Sequence, residues 1–260
     1  MLIFYDVWYI LCVVIKMDEI LYPLPRCAVP PICRTQSKKE KDRNPYDGLR
    51  RWSALTHGLG ISLAILGMAL LLVHTHNLGG SIRHYVTFAV YGATMIELYA
   101  ASTLYHSVNT SVKGRIALKK LDHVSIYFLI AGTYTPICLI SLRGTPGWWL
   151  FGTIWTLALL GAAISLVWIH TPRWVTVGIY LFMGWLAVFA IYPLSRVLAL
   201  RGLFWLLLGG VLYTVGGVMY ALKWPGRANP KFGCHEIFHV FILLGSVCHW
   251  LLMYQVVAHL

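Results

Sequence analysis

Residues 235–257 read HEIFHVFILLGSVCHWLLMYQVV. A helix needs about 20 apolar residues to cross a bilayer, and a barrel strand about half as many. This run is long and continuous enough for a helix. Its first turn carries His235, Glu236 and His239. On a helix, His235 and His239 are separated by about 40° around the axis and about 6 Å along it. Both rings can therefore address one spot on one face, and neutral imidazole is a common metal ligand that zinc takes readily. The plainer reading is a pair of membrane-interface histidines bonded to water or carbonyls.

Similar apolar runs recur on the N-terminal side of this one. They cover about 52–76, 84–108, 122–142, 148–170, 174–193 and 202–222. The expected fold is all-α, a seven-transmembrane helix bundle over residues 51–260. Trp52, Trp148, Trp149, Trp174 and Trp224 fall at expected helix ends, as interface aromatics do. Pro136 is expected to kink the third span. Gly209, Gly210, Gly216 and Gly217 are expected to give the sixth a small-residue packing face. No internal repeat is evident, which weakens an inverted-repeat transporter reading.

Composition agrees with a multi-pass protein of the cell membrane. The 260-residue chain is 58% hydrophobic and 12% charged, against about 25% charged in an average soluble domain. The net charge of +12 does not indicate nucleic-acid binding. Lys and Arg gather instead between the apolar runs and in the N-terminal tail, which the positive-inside rule explains. Lys113, Arg115, Lys119 and Lys120 follow the second run, and Lys223, Arg227 and Lys231 follow the sixth. The opposite side holds only Arg83, Arg143, Arg196 and Arg201. The N-terminus is expected in the cytoplasm and the C-terminus outside. None of the six cysteines forms a CxxC pair, and no disulfide framework is expected. Cys234, beside the histidine pair, is either a soft extra ligand or a small apolar residue.

Residues 1–50 read as a separate N-terminal extension. The apolar run 2–15 is interrupted by Asp6, is too short to span, and has no basic region before it. It either lies at the membrane surface or precedes a true start at Met17. Residues 22–51 combine prolines with the charge cluster Lys38–Arg43 and are expected to be a flexible polar tail.

With that topology, several ionisable residues share one depth. His106 ends the second span, Asp122 begins the third, and His235 and His239 begin the seventh. Ionisable residues in a bilayer are costly and point to function by default. Three histidines with an open position match a catalytic zinc, whereas structural sites are usually closed by four protein ligands. Ser102 lies one turn deeper than His106 on the same face. Its hydroxyl either holds a water or substrate oxygen or bonds its own helix carbonyl. Asp122 either orients a ligand or manages the proton of a water, and it is also a candidate N-cap. Glu97 lies on nearly the opposite face from His106 and is expected to pair within the bundle. His249 lies about 21 Å beyond His235 and is not expected to reach the metal. His57 and His123 are at the right depth without a partner pattern. Glu236 completes a literal H-E-x-x-H, whose glutamate is the general base of soluble metalloproteases. An intramembrane metalloprotease of that kind carries a later Leu-Asp-Gly aspartate. Here Leu121-Asp122-His123 comes earlier and lacks the glycine.

Taken together, Glu97, Ser102 and His106, then Asp122, then His235 and His239 resemble the progestin and adipoQ receptor superfamily. The stretches 100–106, 121–123, 131–136, 183–186 and 245–249 are similar to its bacterial branch, the hemolysin III family. The likeness runs from about Arg51 to the C-terminus. It implies a seven-helix fold, a Zn2+ held by His106, His235 and His239, and Ser102 and Asp122 around a metal-bound water. Members of the superfamily resemble ceramidase-type lipid hydrolases. The resemblance therefore implies a zinc-dependent hydrolase of a lipid amide or ester bond, with membrane lipids as partners. The alternative is a non-enzymatic cytolytic or membrane-homeostasis protein with structural zinc. Residues 1–45 have no counterpart in the resembled family, and Glu236 sits where the superfamily does not require an acid.

Overall fold

The computed structural model describes residues 49–168, 171–226, 229 and 232–260. The expectations for the run 2–15, the start at Met17 and the tail up to residue 48 lie outside the described residues. All regular structure among the described residues is helical. Six helical segments are long and apolar enough to cross a membrane. The first is α1 (Arg51–Asn77). The second is α3 (Val112–Pro136), which continues as a π-helical turn over Ile137–Leu142. The third is α4 (Gly144–Val167). The fourth joins α5 (Arg173–Trp185), a 3-10 turn (Leu186–Ala190) and α6 (Ile191–Val197). The last two are α7 (Leu200–Leu222) and α8 (Cys234–Gln255), the latter followed by a 3-10 turn at Val257–His259.

Between α1 and α3 lies α2 (Ile82–Ser107), 26 residues long. It falls outside the set of six because its composition is more polar, not because it is short. The reason is position. α2 packs against both α1 and α3. Its buried residues include His84, Thr87, Thr94, Ser102 and His106. A helix surrounded by other helices can carry polar groups that a lipid-facing helix cannot.

Neighbours in sequence pack together along α1, α2, α3 and α4, and α7 packs on α8. α8 returns to α1, while α5 bridges α7 and α3. One apolar cluster joins α1, α2 and α8 through Leu71, Phe88, Tyr91 and Leu252. A second joins α3, α4 and α5 through Tyr127, Ile154, Ala158 and Met183. Outward-facing residues such as Leu59, Leu66, Leu159 and Phe189 are large, apolar and exposed, as lipid-facing positions must be.

One sequence expectation changes and two gain detail. The third span begins at Val112, about three turns before Asp122. Ser111 is its N-cap and accepts a hydrogen bond from Gly114 N at 3.2 Å. Asp122 is therefore inside the helix and not a cap. The basic residues Lys113, Arg115, Lys119 and Lys120 did not stop the helix, because long cationic side chains reach the interface from a helical backbone. Pro136 is followed by a change from α to π geometry. Proline lacks the N–H that would close the preceding α turn. The glycines of α7 serve two faces. A Cβ on Gly209 or Gly216 would meet His249 or Phe241 of α8, whereas one on Gly217 would meet Val177 of α5.

Candidate metal centre

Three helix ends build the site. His106 is in the last turn of α2, and His235 and His239 open α8. All three are buried, with exposures of 1%, 6% and 2%. One ligand nitrogen from each lies within 4.8 Å of the others. Nε2 of His235 and Nε2 of His106 are 3.2 Å apart. Two imidazole nitrogens on a tetrahedral ion at about 2.0–2.1 Å would be roughly 3.3 Å apart, so this pair is already at coordination spacing. His239 Nδ1 lies 3.3 Å from the carbonyl oxygen of Ser53. A proton on Nδ1 donated there leaves Nε2 as the ligand atom, the usual arrangement behind a metal-bound histidine. The donor set thus fits a metal ion.

Glu236 lies between these ligands in sequence, yet its carboxylate is engaged elsewhere. Arg50 Nη1 donates to Oε1 at 2.6 Å, and the pair is a buried salt bridge. Ser53 Oγ donates to the same oxygen at 3.1 Å. The Gly233 backbone N–H donates to Oε2 at 2.9 Å, capping the start of α8. Arg50 also donates its own backbone N–H to the His106 carbonyl at 3.0 Å. Arg50 and Ser53 therefore clasp the ends of α1, α2 and α8 where the three histidines meet. The charge read from the sequence as part of a polar tail is a buried structural cation.

The site opens into a cavity of about 380 Å³. His235, His239, Ser102 and Asp122 line it, as do His57 and His123. Ser102 is buried and Asp122 half-buried. Of the anticipated constellation, His106, His235 and His239 come together, and Ser102 and Asp122 share the cavity lining with His235 and His239. Cys234 is buried but is not part of the histidine group. Glu97, for which pairing was expected, makes no ion pair among the described residues.

Sequence reasoning passed over Arg50 and Ser53, and it gave His57 the right depth but no partner. The His57 ring stacks on His239 at a centroid distance of 3.7 Å and an interplanar angle of 13°. Ser53 and His57 are four residues apart on α1, a polar pair in an otherwise apolar run, and that spacing was the available signal. Nothing in the sequence marks Arg50 out from Arg51 beside it, although only Arg50 is buried.

The family model for haemolysin-III related proteins matches residues 51–250. Hemolysin-3 of Bacillus cereus is 40% identical over 195 residues, covering 75% of this chain and 85% of the relative. The Hemolysin-3 homolog of Bacillus subtilis (strain 168) is 40% identical over 194 residues, covering 75% and 87%. ADIPOR-like receptor IZH2 of Saccharomyces cerevisiae is 38% identical over 63 residues, covering 22% of this chain and 20% of the relative. With its apolar helices and buried histidine triad, this chain is a multi-pass membrane protein that belongs to the haemolysin III family of the progestin and adipoQ receptor superfamily.

Proposed function

We propose that the protein is a zinc-dependent hydrolase of a lipid amide or ester bond, ceramidase-like in chemistry. The observation that carries this reading is a buried group of three histidine ligand atoms, two of whose residues, His235 and His239, line a largely apolar cavity together with Ser102 and Asp122. Imidazole-rich sites of this kind favour zinc, and three protein ligands leave a position open. His106, His235 and His239 would hold the ion. When bound, zinc supplies Lewis acidity toward a carbonyl and toward water.

The chain's own groups account for the remaining requirements. The apolar wall takes an acyl chain and excludes bulk water. The Ser102 hydroxyl donates a hydrogen bond to the substrate carbonyl oxygen. The Asp122 carboxylate accepts a proton from water as the water oxygen bonds to the acyl carbon. It returns that proton to the departing amine or alcohol when the C–N or C–O bond breaks. Glu236 takes no part, because Arg50, Ser53 and the Gly233 N–H occupy its oxygens. That engagement disfavours a metalloprotease in which Glu236 is the base.

The reading includes a topology. α2 crosses the membrane as a seventh span, since its 26 residues reach about 39 Å and it packs between two spanning helices. The N-terminus is cytoplasmic and the C-terminus external, as the distribution of Lys and Arg favours.

The test uses purified protein reconstituted with labelled ceramide-like and phospholipid substrates, with and without chelator. Zinc-dependent cleavage is expected. His106→Ala, His235→Ala and His239→Ala should each lose the metal and the activity together. Asp122→Asn should keep the metal and lose turnover, while Ser102→Ala loses less, about the 1.5–3 kcal/mol of one hydrogen bond to developing charge. Glu236→Gln should retain much of the activity. The names of the Bacillus relatives favour a second reading, a cytolytic protein whose zinc is structural. No zinc-dependent cleavage of any lipid, with cell lysis still requiring the three histidines, would select it.

A further inference from the structure

The cavity does not end at the histidine triad. Beyond it the wall is apolar, with Leu98, Ile126, Leu129, Leu206 and Ile242. The cavity then reaches Tyr213 on α7 and His249 on α8. His249 follows His239 by about 15 Å of helix rise. It is 6% exposed; its Nδ1 is closed off without a partner, and its Nε2, which is not closed off, makes no hydrogen bond among the described residues. The ring is accommodated because α7 presents Gly209, where a Cβ would lie 2.7 Å from Nε2. The neighbouring hydroxyls are engaged with one another. Tyr99 donates to Ser246 Oγ at 2.7 Å, and the Tyr213 hydroxyl shares that oxygen at 3.0 Å. The Tyr213 ring lies 5.3 Å from the His249 ring. His249 is thus a polar ring without a hydrogen bond in an apolar stretch of the cavity wall, about three turns along α8 from the histidine triad. Leaving an imidazole unpaired on an apolar wall is unfavourable, and a ligand atom that pairs with Nε2 recovers free energy.

We propose that His249 is a second polar contact for the ligand of this cavity. The ligand is then a single-chain lipid carrying a hydroxyl or other hydrogen-bonding group roughly 15 Å along the chain from the carbonyl at the histidine triad. A plain hydrocarbon chain fills the apolar wall but leaves His249 unpaired. The inference rests on the lipid reading above and deepens it into a preference for functionalised chains.

The experiment measures binding, not turnover. Zinc-loaded protein in phosphatidylcholine nanodiscs is titrated with octadecanoic acid and with isomers hydroxylated beside the carboxyl, at mid-chain and near the methyl end. The isomer whose hydroxyl reaches His249 should bind about three- to ten-fold tighter than the plain chain, the range of one added neutral hydrogen bond. His249→Phe should abolish that preference while keeping the metal and the affinity for the plain chain. Plain-chain binding with no positional preference in the wild type overturns the inference and leaves the lipid reading standing. An undiminished preference in His249→Phe also overturns it. If His249→Phe loses its metal, the wild-type positional scan decides alone. If no chain binds, the lipid reading fails and this inference fails with it.

Discussion

Helix α2 and the segment Arg173–Val197 are nearly equal in length and opposite in character. α2 is too polar to pass as a membrane span by composition, yet half of its residues are buried. The segment Arg173–Val197 passes easily, yet only 11% of its most apolar stretch is buried. Hydropathy reports what a helix shows to lipid, not how deeply it sits in the protein. The helix with the weaker membrane signal contributes Ser102 and His106. The other contributes a lipid-facing surface and a broken backbone, with the Leu186–Ala190 turn held by the Tyr134 hydroxyl. That hydroxyl accepts from Ala187 N at 2.7 Å and lies 2.7 Å from the Gly184 carbonyl oxygen.

The all-or-none way to break the comparison is topology. If α2 crosses, reporters inserted in the connections that flank it, 78–81 and 108–111, should report opposite sides of the membrane. Both on one side would mean that α2 does not span, and the shared depth of the site residues would be lost.

The next largest effect concerns the clasp at the end of α2. Arg50→Ala leaves the Glu236 carboxylate buried without its cation, and breaking a buried pair costs about 3–5 kcal/mol. Thermal unfolding in detergent should show a large fall in Tm, with weakened metal retention because the same contacts position His235 and His239. Unchanged Tm and metal content would show that the clasp carries no load.

A smaller effect sharpens the contrast in packing. On α3, a Cβ at Gly132 would collide with Thr94 of α2, 2.0 Å from its Oγ1. Gly132→Ala should therefore destabilise by about 1–3 kcal/mol, as overpacked cores do. Gly178→Ala on α5 meets nothing within 4 Å. It should be neutral or slightly stabilising, by up to about 1 kcal/mol from helix propensity. Equal responses from the two would mean that the interior around α2 is no tighter than the lipid-facing segment.

Much of this molecule is legible in the chain. Apolar runs of bilayer length specify helices whatever their neighbours, because an unpaired backbone group in hydrocarbon is prohibitive. The His235–His239 spacing places two ligands on one face by helix geometry alone. The expected spans set His106 near them, and its Nε2 lies 3.2 Å from that of His235, while Ser102 and Asp122 line the adjoining cavity. Other features were decided only by tertiary structure, because they depend on which surfaces meet. The sequence does not show that Arg50 turns inward to Glu236 while Arg51 stays exposed. It does not show that His57 stacks on His239, that α3 starts at Val112, or that Gly209 and Gly217 face different helices. Helix formation and membrane insertion follow from local composition. The pairing of a buried charge, the stacking of rings and the closing of a cavity require side chains from distant segments at contact distance. That proximity is set by the packing of the bundle as a whole.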